Sequence, residues 1–325
     1  MLDETKQRFG IVGYSAVILR NGETIHTRSD GLASIELNAP VTEETVFQVF
    51  SVAKLFVHTT IMQLHENGAI DLDAGIGHYL TDLPEAWRDI TVRQLLSHES
   101  GLPDYYRWPD HQTPKDAEEA LALAETLPSF FPTGTSARYT QTNYLLLGLL
   151  IEQQTGEPFR AAMASRMMEP SSLKNTAYGG EFAVIPGRAT MYRSTEDGVR
   201  RNLFIDQPDY MFASTGLNST ASDLAKWFQH LLAGEFLSPS TLDAMWTPLD
   251  SEDGRKPRFL NGWEYTKCKD GTVVVGHGGG NRADVRHFTR GDESVTIVFL
   301  SNGSAVDFWP GQISFDLAEI VFADE

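Results

Sequence analysis

Residues 45–68 read TVFQVFSVAKLFVHTTIMQLHENG, and the change of period inside this stretch decides the fold. Residues 45–50 are rich in β-branched and aromatic side chains, which favours a short strand. From Ser51 onward, Leu55, Val57, Ile61, Met62 and Leu64 recur at helical spacing, and Gly68 supplies a stop. A strand that runs into a helix at a serine places that hydroxyl at the positive end of the helix dipole, among free backbone N–H groups. Lys54 follows three residues later on the same face and can reach the hydroxyl. Burial disfavours an ammonium, and a neutral lysine can take the proton of a serine nucleophile. The spacing alone decides nothing. Ser171 and Lys174, in SSLK, also fit it, but they fall in a Pro-flanked stretch that reads as a loop.

Outward from this stretch, residues 12–25 alternate around Asn21-Gly22 and read as a β-hairpin. From Gly68 to about residue 200 the pattern is helical with long loops. Helices are expected over 92–97, 117–127, 144–155 and 161–168, and an amphipathic one over 222–233, capped by Ser222 or Thr220. Residues 272–276, 284–290 and 294–302 read as strands, with turns at 278–281 and 291–292, and 312–322 as a closing helix. Strands at both ends of the chain suggest one antiparallel sheet that pairs the last strands with the first hairpin, an α+β architecture. The expected division is a discontinuous α/β sheet domain (1–54 with 205–325) and a mainly helical domain (55–204), with the active site in the cleft between them.

The 325 residues carry 26 Lys plus Arg against 44 Asp plus Glu, a formal charge of −18, which argues against nucleic-acid or anionic-membrane partners. Cys268 is the single cysteine, so an intramolecular disulfide and a Cys-based zinc site are excluded. The N-terminus has no apolar signal region and the longest apolar run, 144–151, is too short to span a bilayer, so a cytoplasmic chain is expected. Neither a His-Glu-x-x-His zinc motif nor a Gly-x-Ser-x-Gly elbow is present. No metal or organic cofactor is required. The oligomeric state is left open.

FQVFSVAKLF resembles the nucleophile motif of the serine β-lactamase and penicillin-binding-protein superfamily, most closely its class C β-lactamase and esterase-like branch. Further resemblances follow in the family's order: DLDAGIGHYL and ITVRQLLSHESGLPDY, then ARYTQTNYLLLGLLIEQQTG, STGLNSTASDLAKW and VVVGHGGG. They span the chain from about Gly13 to Phe322. The resemblance implies a β-lactamase-like fold, an antiparallel sheet flanked by helices with an all-α insertion domain. It also implies a serine hydrolase that cleaves carboxylic esters or amides through an acyl-enzyme on Ser51, with Lys54 and Tyr139 as the other catalytic groups.

By this resemblance Tyr139 opens the family's Tyr-x-Asn motif and relays protons between nucleophile and leaving group. A neighbouring Lys54 ammonium is expected to lower its pKa from about 10. Gln141 stands where the family usually has Asn and keeps a carboxamide one methylene longer, whereas Asn143 is out of register. His277-Gly278-Gly279 matches a motif that begins with Lys in β-lactamases and commonly with His in the esterase-like branch. It is expected on an edge strand lining the cleft. Gln141, His277, Gly278 and Gly279 would contact substrate, and the N–H groups of Ser51 and Gly280 would form the oxyanion hole. A histidine mostly neutral near pH 7 favours esters or uncharged amides.

Other residues have two readings each. Arg282, Asp284 and Arg286 form charge pairs on an exposed strand, or one of them binds a substrate anion. His98 is a structural hydrogen-bonding residue or a partner of the serine, and His58 and His65 pack or face solvent. Tyr105, Tyr106, Arg107 and Trp108 wall the pocket or form an ordinary packed loop. The rival functions are a D-amino acid or peptidoglycan-type peptidase holding a peptide terminus on Arg282 or Arg286, a weak β-lactamase, and a catalytically silent binding homologue.

Overall fold

The computed structural model describes residues 1–106, 113–194, 200–248 and 257–324. A short helix, α1 (Leu2–Phe9), precedes strands β1 (Gly13–Arg20) and β2 (Glu23–Ser34). They join at Asn21-Gly22, whose φ angles of 50° and 81° match the twist that a two-residue hairpin demands. Strands β3 (Ala39–Pro40) and β4 (Phe47–Gln48) lead to a 3₁₀ turn at Phe50–Ala53, which runs without a break into α2 (Lys54–Glu66). The helical stretch then supplies α3 (Val92–Leu96), α4 (Ala117–Glu125), α5 (Gln141–Thr155) and α6 (Phe159–Met163), the last extended by a π turn at Ala164–Met168. Three short strands close this stretch: β5 (Ala177–Tyr178), β6 (Tyr192–Ser194) and β7 (Arg200–Asn202). Strand β8 (Leu217–Ser219), α7 (Ala221–Leu232) and α8 (Pro239–Trp246) follow. The chain ends with β9 (Phe259–Leu260), β10 (Trp263–Lys267), β11 (Val273–Gly279), β12 (Ala283–Arg290), β13 (Glu293–Ser301) and α9 (Gly311–Ala323).

Eight strands form an antiparallel sheet in the order β3-β2-β1-β13-β12-β11-β10-β9. The first hairpin and the last strands share it, as the two ends of the sequence suggest. Strands β1 and β13 read as near-continuous apolar runs because both their faces are covered. Tyr14, Ala16, Ile18, Ile297 and Phe299 pack with Ile313 and Leu317 of α9. Val17, Leu19, Val298 and Leu300 belong to the larger core, with side chains of α2, α5 and α7.

Several local expectations change. The strand expected over 45–50 shrinks to β4, which pairs outside the main sheet with β8, itself paired with β5. Helix α5 begins at Gln141 rather than 144, since Thr140 caps it by accepting the Thr142 N–H at 3.1 Å. Thr220, not Ser222, caps α7. Helices α1 and α8 were not anticipated. Strand β12 is buried rather than exposed: Ala283 to Phe288 are all inaccessible. Strand β11 is not an edge strand, because β10 and β12 flank it; however, its pairing with β10 stops at Gly276, so residues 277–279 run on with one side open. No helix among the described residues is long and apolar enough to cross a membrane.

Candidate active site

The approach to Ser51 is a tight elbow. Val49 hydrogen-bonds through its N–H to the Leu217 carbonyl at 3.0 Å, and the next residue, Phe50, adopts a left-handed φ of 49°. For an aromatic side chain that conformation costs on the order of 1–3 kcal/mol and persists only where neighbours enforce it. Here the neighbours are glycines of the β11 end. A Cβ on Gly279 would fall 2.2 Å from the Val49 carbonyl oxygen, and one on Gly280 3.1 Å from the Phe50 ring. Glycine therefore lets the strand end lie directly on the elbow. The elbow turns the chain so that Ser51 stays partly accessible while Lys54, one turn on, is fully buried.

Around Ser51 the structure brings together three of the residues singled out in the sequence. Tyr139 donates its hydroxyl hydrogen to Ser51 Oγ across 2.8 Å. Lys54 Nζ lies 3.3 Å from the same oxygen. The amine also donates to Gln141 Oε1 at 3.1 Å and to the Ser214 carbonyl at 2.7 Å, and it sits over the rings of Tyr139 and Tyr144. Gln141 thus reaches Lys54 despite its longer side chain, while Asn143 turns away to accept from Ser100 Oγ at 2.6 Å. A cleft of about 570 Å³ adjoins Tyr139, and Asp104, Tyr106, Phe130 and Arg138 are among its other walls. A separate cavity of about 280 Å³, whose walls include Leu145, Phe159 and Phe212 as well as Glu152, Arg160 and Asp209, contains none of these reactive groups.

Burial sets the protonation states. It drives Lys54 well below the usual lysine pKa, against the opposing pull of Asp104 and Glu264. Burial raises Tyr139 above the usual tyrosine value, with Ser51 and Gln141 opposing the rise. This corrects the expectation that an ammonium on Lys54 lowers the tyrosine pKa: the phenol's own burial raises it, so the phenol keeps its proton. His277 is inaccessible, and burial holds it at about 4, against the pull of Glu264, so it is neutral at pH 7. Its Nδ1 lies 2.6 Å from the Gly278 carbonyl, which assigns the proton to Nδ1, and its ring centroid is 5.9 Å from that of Tyr139.

The remaining polar residues are committed elsewhere. His98 Nδ1 accepts the Thr140 N–H at 3.3 Å and lies 3.1 Å from Asn143 Nδ2, so it braces the start of α5 and does not touch Ser51. His58 is buried against the Tyr144 hydroxyl, and His65 Nδ1 meets the Ile70 carbonyl at 2.9 Å. Arg282 is ion-paired with Asp307. Arg286 is buried between Glu264, at 2.6 Å, and Asp284, at 3.1 Å. Burial pushes Asp284 up to about 6, and Ser314 donates to it at 2.5 Å. Tyr105 is in the core and Tyr106 at the cleft; Arg107 and Trp108 lie outside the described residues. Among the described residues no His, Cys, Asp or Glu cluster can hold a metal ion.

Two contributors were missed in the sequence. The Ser214 carbonyl takes one hydrogen of Lys54, and a backbone acceptor leaves no residue-type signal beyond its place in STGLNST. Asp104 accepts the N–H groups of Tyr106 and Gln141 at 3.0 and 3.2 Å, fixing the start of α5. Its position directly after Pro103, in SGLPDY, was the available clue.

The beta-lactamase family model matches residues 1–309. The chain is 23% identical over 306 residues to penicillin-binding protein 4* of Bacillus subtilis, covering 86% of this chain and 66% of that protein. It is 26% identical over 196 residues to esterase EstB of Burkholderia gladioli, covering 55% of this chain and 50% of that protein. The chain thus spans between half and two thirds of the length of these curated relatives. The solved structure of D-amino acid amidase from Ochrobactrum anthropi SV3 with L-phenylalanine amide matches with a TM-score of 0.82 at 23% identity, over 100% of this chain and 97% of that one, a likeness of fold.

Proposed function

The chain belongs to the beta-lactamase family of serine hydrolases, and from that premise we propose that it cleaves carboxylic esters or amides through an acyl-enzyme on Ser51. The observation that carries this reading is the environment of Lys54 Nζ. A neutral amine has two hydrogens and one lone pair. In the neutral form, which burial favours, the Gln141 and Ser214 oxygens take the two hydrogens and the lone pair is left for Ser51 Oγ at 3.3 Å. Lys54 is then the base. It accepts the Ser51 proton as Oγ attacks the carbonyl carbon, and the developing oxyanion rests on the N–H groups of Ser51 and Gly280.

Tyr139 acts as the acid. Its phenol, protonated and 2.8 Å from Ser51 Oγ, is placed to give its hydrogen to the leaving alkoxide or amine. The proton on Lys54 then returns to Tyr139, and water, giving a proton to the neutral Lys54, cleaves the acyl-serine; that proton passes to Ser51 Oγ and restores the hydroxyl. Gln141, His277, Gly278 and Gly279 line the substrate's path on this scheme, a path that runs where the sheet domain (1–54 with 205–325) meets the helical domain (55–204). A neutral His277 offers no cation for a substrate carboxylate. That favours esters and uncharged amides over penicillins, and the engaged Arg282 and Arg286 disfavour a peptidase that grips a terminal carboxylate.

The test is labelling with a fluorophosphonate probe followed by peptide mass mapping. One adduct on Ser51, lost in Ser51→Ala together with p-nitrophenyl ester turnover, is expected. An adduct elsewhere, or full turnover by Ser51→Ala, ends the proposal.

A further inference from the structure

The hydrolytic scheme uses no carboxylate, yet Asp104 lines the same cleft as Tyr139. Its Oδ1 is occupied by the backbone N–H groups of Tyr106 and Gln141, whereas Oδ2 has no hydrogen-bond or ion-pair partner among the described residues. Two cations influence Asp104 from the elements around it. One is Lys54, which burial drives toward the uncharged amine. The other is Arg138, exposed and stacked with its guanidinium 3.6 Å from the Phe130 ring centroid. Arg138 lines the same cleft, but among the described residues neither cation forms an ion pair with the carboxylate.

A carboxylate beside aromatic walls, here Tyr106, Phe130 and Tyr139, is the chemistry that captures a cation. Gln141 bridges the carboxylate to the reacting centre: its N–H meets Asp104 and its Oε1 meets Lys54. A cation held at Oδ2 is therefore linked through Gln141 to the amine beside Ser51. We propose that Asp104 is a specificity-determining residue that binds a protonated amine next to the scissile carbonyl, so that the preferred substrates are esters or amides of amino acids with a free ammonium group. This deepens the Ser51 hydrolase reading and rests on it. The negative charge is available at neutral pH, since burial raises the carboxyl only to about 6.

The test uses the full chain and two substrates of nearly equal shape: phenylalanine methyl ester, in both hands, and methyl 3-phenylpropanoate, which has hydrogen in place of the ammonium. For one hand, wild-type kcat/KM is expected to favour the amino ester by about tenfold or more, the worth of one partly desolvated charge pair. Asp104→Asn keeps an oxygen acceptor for the Gln141 N–H and should bring this ratio to within about twofold of unity, chiefly through KM, and Asp104→Glu should restore part of it. A wild-type ratio at or below one, no turnover of either amino ester, an unchanged ratio in Asp104→Asn, or equal losses on both substrates each overturns the assignment. Should Asp104→Asn fail to fold, wild-type turnover of the neutral ester decides instead: inhibition by benzylammonium but not by benzyl alcohol supports the site, and equal inhibition by both overturns it. Turnover of either substrate by Ser51→Ala would instead strike the hydrolase reading, so the two failures are separable.

Discussion

The chain carries the pattern Ser-x-x-Lys twice, and the two copies are inverted in burial. At Ser51–Lys54 the serine is partly accessible and the lysine has no exposed surface. At Ser171–Lys174 the serine is wholly buried, with no partner for its hydroxyl among the described residues, and the lysine points into solvent. The first copy lies on one continuous helical stretch, whereas the second is in a turn where Ser172 takes a φ of 50°. Four residue letters thus specify no chemistry. What differs is whether the fold desolvates the amine while leaving the hydroxyl reachable, since only a desolvated lysine is a base at neutral pH.

This contrast can be broken by experiment. The largest effect is expected from Ser51→Ala, which should cut kcat by about 10⁴-fold or more, whereas Ser171→Ala should leave turnover within about twofold. Comparable losses from both would erase the distinction. Lys54→Met should lower kcat by about 10³-fold with an unchanged or raised melting temperature, because it replaces a buried polar group by an apolar one of similar length. Lys174→Met should alter neither property, within about 0.5 kcal/mol of stability. A folding defect without a catalytic one in Lys54→Met would make that residue merely structural.

Gly279→Ala tests the elbow. Its Cβ would lie 2.2 Å from the Val49 oxygen, so the strand end must lift from Phe50. Thermal melts and ester kinetics should show a loss of about 1–3 kcal/mol and a markedly lower kcat. Wild-type behaviour would mean that the contact at the elbow is loose.

Stability alone, without a change in the chemistry, is read by its pH dependence. His58, His98, His277 and His287 are buried, and burial lowers all four below the usual 6.5, His277 and His287 to about 4. The unfolded chain binds those protons more readily, so their contribution is complete above pH 6.5 and is lost as the pH falls toward 4. Asp104 and Asp284, raised by burial to about 6, act in the opposite sense from pH 6 downward. Four groups against two leave a net loss on acidification of up to about 2 kcal/mol per pH unit. Calorimetry from pH 7 to 5 should record a falling melting temperature, and a flat profile would show that these histidines gain protons without penalty.

Much of the architecture was legible because periodicity survives translation into packing. The Asn21-Gly22 hairpin, the helix after Ser51 and the three closing strands are local patterns that tertiary contacts reinforce. Less visible were features defined by distant neighbours. Helix α1 has no buried residue, only Leu2 and Phe9 packed against the α9 side of the core, so its apolar stripe is too thin to register. Charged letters in NRADVRHF suggested an exposed strand, but Asp284 and Arg286 satisfy one another inside. The protonation of Tyr139 could not be judged from the sequence, because the burial that raises its pKa is set by distant packing neighbours.

Strand β1 lies between β2 and β13, so the middle of the main sheet stitches residues 13–20 to residues 293–301. A ribosome delivers these partners far apart in time, and the first hairpin must wait with a bare edge until β13 emerges. The Ser51 elbow waits as well, because Leu217, Gly279 and Gly280 hold it from the later half of the chain. The environment of Ser51 is therefore completed only once strand β11 and the glycines at its end have been made.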